Sequence, residues 1–173
     1  MRLSCAAQFL KITHLFLTSR NFRVRVNDIL SNPRPILSGC AQGSLRSPVL
    51  FNIYVNDIPN LPSCHRAIFA YDTAILTKHK QPDIAVQALQ NYVSELQLWL
   101  TDWKIKVNPR KCACLLFTKK RNVPILNPIQ IFGQPVPFVS QYKYLGLILD
   151  AKLNFDSHIQ KAVTKAKNSS FPL

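Results

Sequence analysis

Apolar and polar residues recur along the chain with two different periods, which divide it into predicted helices and strands. The clearest helical pattern begins at Pro82, where apolar residues recur every three or four positions, as on the buried face of an amphipathic helix. This stripe consists of Ala85, Leu89, Tyr92, Leu96, Trp99 and Trp103. Patterns of the same period predict further helices over residues 3–17 and 154–168.

A shorter helix is predicted where Ser47-Pro48 supplies an N-cap and a proline at the first helical position. Its apolar residues are expected to face the interior; they are Val49, Leu50, Ile53, Tyr54 and Ile58. The small residues before it, at positions 39–44, are expected to form a loop.

Several short segments show the period of two that is typical of β-strands. "FRVRV" (22–26) alternates strictly and predicts a half-buried strand, which a turn at Asn27-Asp28 connects to a second strand at a sheet edge. The runs "RAIFA" (66–70) and "TAILT" (73–77) predict a hairpin with Tyr71-Asp72 at its tip. Further strands are predicted in "KIKVN" (104–108), "ACLLF" (113–117), "IQIFGQPVP" (129–137, turning at Gly133-Gln134) and "YKYLGLILD" (142–150).

This order of helices and hairpins predicts an α+β fold, in which helices cover one side of an antiparallel sheet. A length of 173 residues suits one domain with a sizeable core. We see no internal repeat and no linker that would divide the chain.

The charge of the chain indicates its class of partner. It carries 22 Lys or Arg against 8 Asp or Glu, a net charge of +14. Seven of the cations lie between Trp103 and Pro124, a stretch without any acidic residue. A field of this sign attracts polyanions, so nucleic acid is the expected partner, although a solvated basic surface is the alternative.

The cysteines bear on location. Their number is odd and none forms a CxxC pair; they are Cys5, Cys40, Cys64, Cys112 and Cys114. We therefore expect free, mostly buried thiols in a reducing compartment, hence an intracellular protein, with nucleus and cytoplasm both open. The chain shows no convincing membrane anchor, so we expect no membrane partner.

The aspartate at the predicted hairpin tip, Asp72, suggests phosphoryl transfer in a chain this basic. Nucleotidyl transfer uses two Mg²⁺ ions, which activate the attacking 3′ oxygen and stabilise the leaving phosphate. Mg²⁺ prefers oxygen ligands, so the reaction needs carboxylates that converge on one point. A β-turn on a rigid hairpin is a suitable platform for such side chains.

Four longer segments then follow one another in order: "GCAQGSLRSPVLFNIYVNDIP", "AIFAYDTAIL", "WKIKVNPRKCACLLF" and "YKYLGLILDAKLNFDSHI". Together they resemble the reverse-transcriptase domain of non-LTR retrotransposons, in particular the jockey-like elements of arthropods, over about residues 15–168. The resemblance implies the palm of an RNA-directed DNA polymerase that acts by a two-metal mechanism. Its implied partners are an RNA template and a DNA primer, and its implied cofactor is Mg²⁺.

The resemblance also implies an arrangement along the chain. Residues 1–173 would form a single partial domain, whose antiparallel sheet is that of a polymerase palm. The palm and its connecting strands would occupy about residues 15–150 and the start of the thumb residues 151–173. The fingers and the first catalytic strand would be missing.

Residue roles follow from the same resemblance. In the family, the loop at residues 39–44 contacts template and incoming nucleotide, and it usually has proline where Ala41 stands. The residues of this loop that match the family are Gly39, Gln42, Gly43 and Ser44. Lys111 stands near the triphosphate as a point charge or proton donor, a solvated lysine being the alternative. The hairpin that grips the primer end is matched by Tyr144, Leu145 and Gly146.

Two departures from the family concern the metal ligands. The family hairpin has two adjacent aspartates; Asp72 matches the second, whereas Tyr71 replaces the first and main ligand. A phenol carries no negative charge at neutral pH. The third aspartate of the family lies upstream of the loop, where the only acidic residue here is Asp28, in the turn of the first hairpin. We therefore expect Asp72 to be the one metal carboxylate that is kept.

Three hypotheses follow: an active RNA-directed DNA polymerase domain, a nucleic-acid-binding fragment without catalysis, and a relic without function. Loss of one metal carboxylate costs several kcal/mol of transition-state stabilisation. The sequence therefore favours a truncated and catalytically impaired copy.

Overall fold

The computed structural model describes residues 7–41, 43–122 and 125–169. The contacts divide the chain into two compact units, Met1–Asn56 and Asp57–Leu173. The arrangement as one partial domain, with palm strands up to about residue 150 and the thumb after them, stays a prediction. None of the helices in the described residues combines the length and the apolar character that a membrane crossing requires.

The described residues of the first unit form two helices and two pairs of very short strands. Its elements are α1 (Ala7–Leu17), β1 (Asn21–Phe22), β2 (Arg25–Val26), β3 (Ile29–Leu30), β4 (Arg34–Pro35) and α2 (Arg46–Tyr54). Strands β2 and β3 pair antiparallel around the predicted turn, where Asn27 has a φ of 52°. Asparagine tolerates this left-handed conformation, so the predicted hairpin is confirmed.

The predicted burial of this unit is wrong. All four strands are exposed at every position, and none of the unit's described residues is buried. Each ladder has only two residue pairs, too few to hold one face against a core. In α2, three residues that were predicted to face the interior are exposed by 36–53%: Val49, Ile53 and Tyr54.

Ser47 does not cap α2 as predicted. The helix begins at Arg46, and its N-cap position is Leu45, which makes no side-chain cap. The Ser47 hydroxyl instead donates back to the carbonyl of Ala41 at 2.6 Å. The serine therefore ties the preceding loop to the first turn of the helix.

The second unit contains three hairpins and two helices close to their predicted positions. Its elements are β5 (His65–Phe69), β6 (Asp72–Leu76), α3 (Pro82–Asp102), a 3₁₀ helix (Pro109–Lys111), β7 (Ile129–Ile131), β8 (Gln134–Val136), β9 (Gln141–Tyr144), β10 (Leu147–Asp150) and α4 (Asp156–Ser169). Each strand pairs antiparallel with its neighbour in sequence.

The turns of these hairpins lie where left-handed backbone is adopted. Phe132 and Gly133 have φ of 47° and 71°, and Leu145 and Gly146 have φ of 47° and 87°. Positive φ at both central residues is the geometry of a two-residue turn that matches the twist of the strands. The turn predicted at Gly133-Gln134 therefore begins one residue earlier.

The prediction of one antiparallel sheet is wrong, because the described residues form five separate two-stranded ladders. Proline is one reason: Pro135 in β8 has no amide hydrogen to donate to a further strand. The segments 104–108 and 113–117 are not strands either. Cys114 makes a single parallel bridge to Phe138, and the first segment leads into Pro109. The fold is α+β, with helices and small antiparallel sheets.

Helix α3 organises the core of the second unit. Its predicted stripe is confirmed at Tyr92 and Leu96, which are buried, whereas Trp103 is 38% exposed. One core cluster contains Tyr92, Leu96, Leu100, Ile58 and Cys64. A second contains Val93, Ile129, Ile131 and Val136, so residues of α3 belong to both.

Glutamines of α3 hold the backbone of β7. The Gln90 carboxamide accepts from the amide of Gln130 at 2.7 Å and donates to its carbonyl at 3.1 Å. Two turns further along α3, the side chain of Gln97 accepts from the amide of Phe132. The side chains thus act as the neighbouring strand that β7 lacks on this edge.

We expect Gln90→Ala to lower the free energy of unfolding by about 1–3 kcal/mol, because two backbone hydrogen bonds lose their partner. Urea denaturation measures this change. Gln87→Ala is the matched control, since Gln87 lies on the same helix and donates to the Asn91 side chain rather than to the backbone of β7. A loss of the same size in both variants would contradict the role of Gln90.

The connection from β10 to α4 is held by one carboxylate. Asp150 accepts from the amides of Phe155 at 2.7 Å, Lys152 at 2.9 Å and Asn154 at 3.2 Å. These backbone hydrogen bonds, that of Phe155 first, hold the pKa of Asp150 below its ordinary value. They stabilise a segment in which Leu153 and Phe155 both have left-handed φ, 57° and 63°.

We expect stability to depend on this group in acid. The folded pKa is depressed, so the contribution of Asp150 is complete above the unfolded pKa of about 4 and is lost as the pH falls through the folded pKa. In Asp150→Asn this part of the acid loss is absent. Melting temperatures recorded from neutral to acidic pH measure it, with Asp102→Asn as control; parallel curves for wild type and Asp150→Asn would contradict it.

The thiols of the described residues are free: Cys40, Cys64, Cys112 and Cys114. Cys64 is buried, and burial raises the pKa of Cys114 to about 11. Cys5 lies outside the described residues.

Candidate functional site

One face of the β5–β6 hairpin packs against the core. Ile68 and Ile75 pack against the cluster that contains Tyr92 and Leu96. Beside them, the Arg66 guanidinium donates to the carbonyls of Ile58 and, at 2.8 Å, Pro59. This base is rigid, so the far end of the hairpin has a defined position.

Tyr92 reinforces the same base. Its hydroxyl donates to the carbonyl of Pro59 at 2.9 Å, so Pro59 accepts from both Tyr92 and Arg66. Burial raises the pKa of Tyr92, and the charge of Arg66 opposes that rise. The phenol is therefore kept as a neutral donor at physiological pH.

The tip of the hairpin is one residue earlier than predicted. The turn is Ala70-Tyr71, with Ala70 at a φ of 50°, and Asp72 is the first residue of β6, opposite Phe69. Tyr71 is 86% exposed and Asp72 is exposed as well. The predicted hairpin is confirmed, and Asp72 lies in the strand directly after the turn, next to the phenol of Tyr71.

This tip does not fit a pair of Mg²⁺ ions. The described residues contain no group of three His, Cys, Asp or Glu side chains that could hold a metal ion. A hard divalent cation needs several oxygen ligands, and Asp72 supplies one carboxylate. No reaction step is therefore assigned to a metal at this hairpin.

In the first unit, the predicted template and nucleotide loop is held from both ends. Arg20 donates through Nη2 to the carbonyls of Ser38 at 3.3 Å and Gly39 at 2.5 Å, and through Nε to Leu17 at 3.1 Å. One guanidinium thus joins the end of α1 to the start of the loop. At the other end, the Ser47 hydroxyl holds the carbonyl of Ala41.

The loop's conformation depends on its glycines. Gly39 and Gly43 have φ of 76° and 81°, and the space beside each is open, so the need for glycine is conformational rather than steric. Ser44 accepts from the amide of Arg46 through its hydroxyl at 3.2 Å and thereby joins the loop to α2. Gln42, the predicted hydrogen-bonding residue, lies outside the described residues.

Lys111 and the predicted primer-grip hairpin are close together. Lys111 ends the 3₁₀ helix that the Asn108 side chain caps, and its own side chain is exposed. The hydroxyl of Tyr142, on β9, donates to the Lys111 carbonyl at 2.9 Å. On the same hairpin, Tyr144 is half-buried at the end of β9, and Leu145-Gly146 forms the exposed turn.

The structure therefore joins Lys111 to the hairpin of Tyr144, and places the loop at 39–44 in the first unit and Asp72 in the second. Sequence reasoning missed Arg20 and Tyr142 as positioning residues. Arg20 follows α1 closely, and basic residues often bond the last carbonyls of a helix, which is a usable signal. For Tyr142 no comparable signal exists, because its partner is 31 residues away.

Comparison with known proteins gives a consistent family. Residues 2–149 match the family described as reverse transcriptase (RNA-dependent DNA polymerase). In Drosophila melanogaster, the chain is 34% identical over 92% of its length to "Probable RNA-directed DNA polymerase from transposon BS" and 32% identical over 88% to "RNA-directed DNA polymerase from mobile element jockey". It is 28% identical over 93% to "Probable RNA-directed DNA polymerase from transposon X-element".

The chain spans 17–18% of the length of these relatives. No solved structure matches it significantly.

We expect Arg20→Ala to loosen the loop, because the guanidinium is the donor for carbonyls on two segments of the first unit. Hydrogen exchange of peptides covering residues 36–47 should become faster, while that of the β5–β6 hairpin stays unchanged. Arg23→Ala is the control, since Arg23 is exposed and makes no such contacts within the described residues. Equal acceleration in both variants would contradict the tether.

Proposed function

Because the chain belongs to the reverse transcriptase family, we propose that it forms palm-like structure of an RNA-directed DNA polymerase from a non-LTR retrotransposon, in a copy whose nucleotidyl transfer is impaired. The observation that supports this is the hairpin tip. Its projecting geometry suits a catalytic carboxylate, yet Tyr71 stands exposed where the first of two aspartates is expected.

The remaining site residues keep chemistry that suits a template, primer and nucleotide. The tethered loop at 39–44 presents backbone groups and Ser44 to a substrate. Lys111 offers an exposed ammonium, which serves as a point charge for phosphates. The turn at Leu145-Gly146 carries no bulky polar side chain, so its backbone is able to approach a primer. Binding of nucleic acid is thus retained, whereas the charge that holds divalent cations is not.

Primer extension tests the loss of catalysis. With an RNA template, a DNA primer and Mg²⁺ or Mn²⁺, we expect incorporation by the wild-type chain to equal that of Asp72→Ala. Each missing 1.36 kcal/mol of transition-state stabilisation lowers the rate tenfold, so a loss of several kcal/mol removes detectable activity. Incorporation above the Asp72→Ala control would overturn the proposal.

Tyr71→Asp refines this test. The side chain is 86% exposed, so the substitution should leave the fold intact, within about 0.5 kcal/mol of unfolding free energy. We expect no polymerisation from this variant, because two adjacent carboxylates still lack a third. Recovered extension in Tyr71→Asp would show that a third ligand exists in the chain and that Tyr71 alone caused the loss.

A second candidate function is nucleic-acid binding without catalysis. It is favoured by the seven cations between residues 104 and 121, since every one of these side chains is exposed. Contacts of this kind give affinity that falls steeply with salt.

The third possibility, a relic without a stable fold, predicts no slowly exchanging amides in α3, whereas a folded chain protects them.

A gel-shift series in rising salt measures this binding. If the cluster contacts phosphates of single-stranded RNA, Lys119→Gln/Lys120→Gln/Arg121→Gln should reduce the slope of log K against log salt by about 2. The matched control is Lys11→Gln/Lys78→Gln/Lys80→Gln, which removes three positive charges outside the cluster. Equal slopes for the wild type and the cluster variant would count against the cluster as the contact.

A further inference from the structure

A surface cavity of about 340 Å³ lies at the end of α3, in the second unit. Its walls come from the last turn of α3, the segment at 104–109 and the β7–β8 hairpin. The volume is at the lower end of the range of ligand sites, roughly 300–1,000 Å³. None of the site residues assigned above lines it.

The lining combines two cations with one aromatic ring. Lys104 and Lys106 are exposed, and Phe132 is 48% exposed at the tip of its hairpin. Polar groups of Thr101 and Gln134 complete the rim, and no acidic side chain lines the cavity. Neither lysine has an ion pair within the described residues.

The backbone next to both kinds of group is hydrogen-bonded to neighbouring segments. The amide of Phe132 is bonded to the side chain of Gln97, and its strand is anchored by buried Ile131. The amide of Lys104 donates to the carbonyl of Thr101 at 3.1 Å, and that of Ile105 to Leu100 at 2.8 Å. These bonds also cover carbonyls at the end of α3, which would otherwise repel an anion.

Lys104 and Phe132 both have left-handed backbone, as do six other non-glycine residues among those described. Lys104 follows the helix with a φ of 54°, in a position that glycine usually fills. Phe132 has a φ of 47° at the tip of its turn. Two non-glycine residues with left-handed backbone, one cationic and one aromatic, thus line the same cavity.

We propose that this cavity binds single-stranded nucleic acid, with a base stacked on Phe132 and the adjoining phosphates at Lys104 and Lys106. Stacking on an exposed ring beside a cationic track is the physical basis of sequence-tolerant single-strand binding. The cluster of seven cations begins at Lys104, so a strand leaving the cavity continues over positive surface. This contact adds to the proposed nucleic-acid binding and rests on it.

Two tryptophans lie at the end of α3, next in sequence to part of the lining. Trp99 and Trp103 are the only tryptophans in the sequence, and their ring centroids lie 6.1 Å apart. Leu100 and Thr101 between them line the cavity, whereas neither tryptophan does. Their emission is therefore an indirect probe of binding, and labelling at Phe132 is the direct one.

The experiment titrates the full chain with a 12-nucleotide oligouridylate and records tryptophan emission. We expect saturable quenching in the wild type. Phe132→Ala should weaken binding about 5- to 140-fold, the value of one base stacked on one ring, with an unchanged salt slope. Lys104→Gln/Lys106→Gln should reduce the salt slope by about 1.4.

Matched controls separate this site from general binding. Phe22 is 47% exposed in the first unit, so Phe22→Ala removes an equally exposed ring and should leave the quenching curve unchanged. Lys161→Gln/Lys165→Gln removes two charges from α4 and should leave the quenching at saturation unchanged. Photocrosslinking with 5-iodouridine in the oligonucleotide should label the peptide that contains Phe132.

The outcomes are distinguishable. Gel-shift binding without a crosslink at Phe132 or without loss in Phe132→Ala would overturn this inference and leave the proposed nucleic-acid binding intact. Absence of any binding to the folded chain would overturn both. Because Phe132 contributes an exposed side chain, a matching urea transition for Phe132→Ala would confirm that the loss is not unfolding.

Discussion

Helix α3 is the constraint on which the second unit depends. Its buried residues belong to both core clusters: Tyr92, Leu96 and Leu100 in one, and Val93 in the other. Apolar burial gives the helix its position, and the carboxamide of Gln90 then fixes β7 alongside it. The packing of α3 on β7 needs both apolar burial and the Gln90 hydrogen bonds, because β7 has three residues and cannot set its own register.

Two hairpins that project from this unit pack against that helix. The β5–β6 hairpin reaches it through Ile68 and Ile75, so the tip with Tyr71 and Asp72 stands on a rigid base. The β7–β8 hairpin reaches it from the other cluster and presents Phe132. By contrast, the first unit has no buried residue among those described, and its loop at 39–44 relies on the hydrogen bonds of single side chains such as Arg20.

Much of this could be predicted from the sequence, for reasons that are local. The spacing of apolar residues after Pro82 specifies the buried face of α3, and glycine or asparagine marks the turns at Asn27, Gly133 and Gly146. Burial in the first unit could not be predicted, since alternation in "FRVRV" states which residues share a face and not whether anything covers it.

Long-range hydrogen bonds were equally out of reach. Gln90 reads as a polar position on an amphipathic helix, and only the fold brings it to Gln130. The predicted site residues also differ in whether the sequence indicates them. Asp72, Lys111 and the 144–146 turn stand out through motif order, and the apolar runs beside Asp72 predict its hairpin, whereas Tyr142, which bonds the Lys111 carbonyl, carries no sequence signal.

The exposure of the hairpin tip separates it from the packing of the unit. Ile68 and Ile75 pack against the core, whereas Tyr71 is 86% exposed and Asp72 is exposed, so a side chain at the tip can change without a core defect. Catalysis by two divalent cations depends on convergent negative charge. The packing of the core does not depend on that charge. Nucleic-acid contact depends instead on many separate cations, each contributing a similar share of the salt-dependent term. Under the proposed function, a change at one ligand position therefore impairs nucleotidyl transfer before it lowers the affinity for nucleic acid.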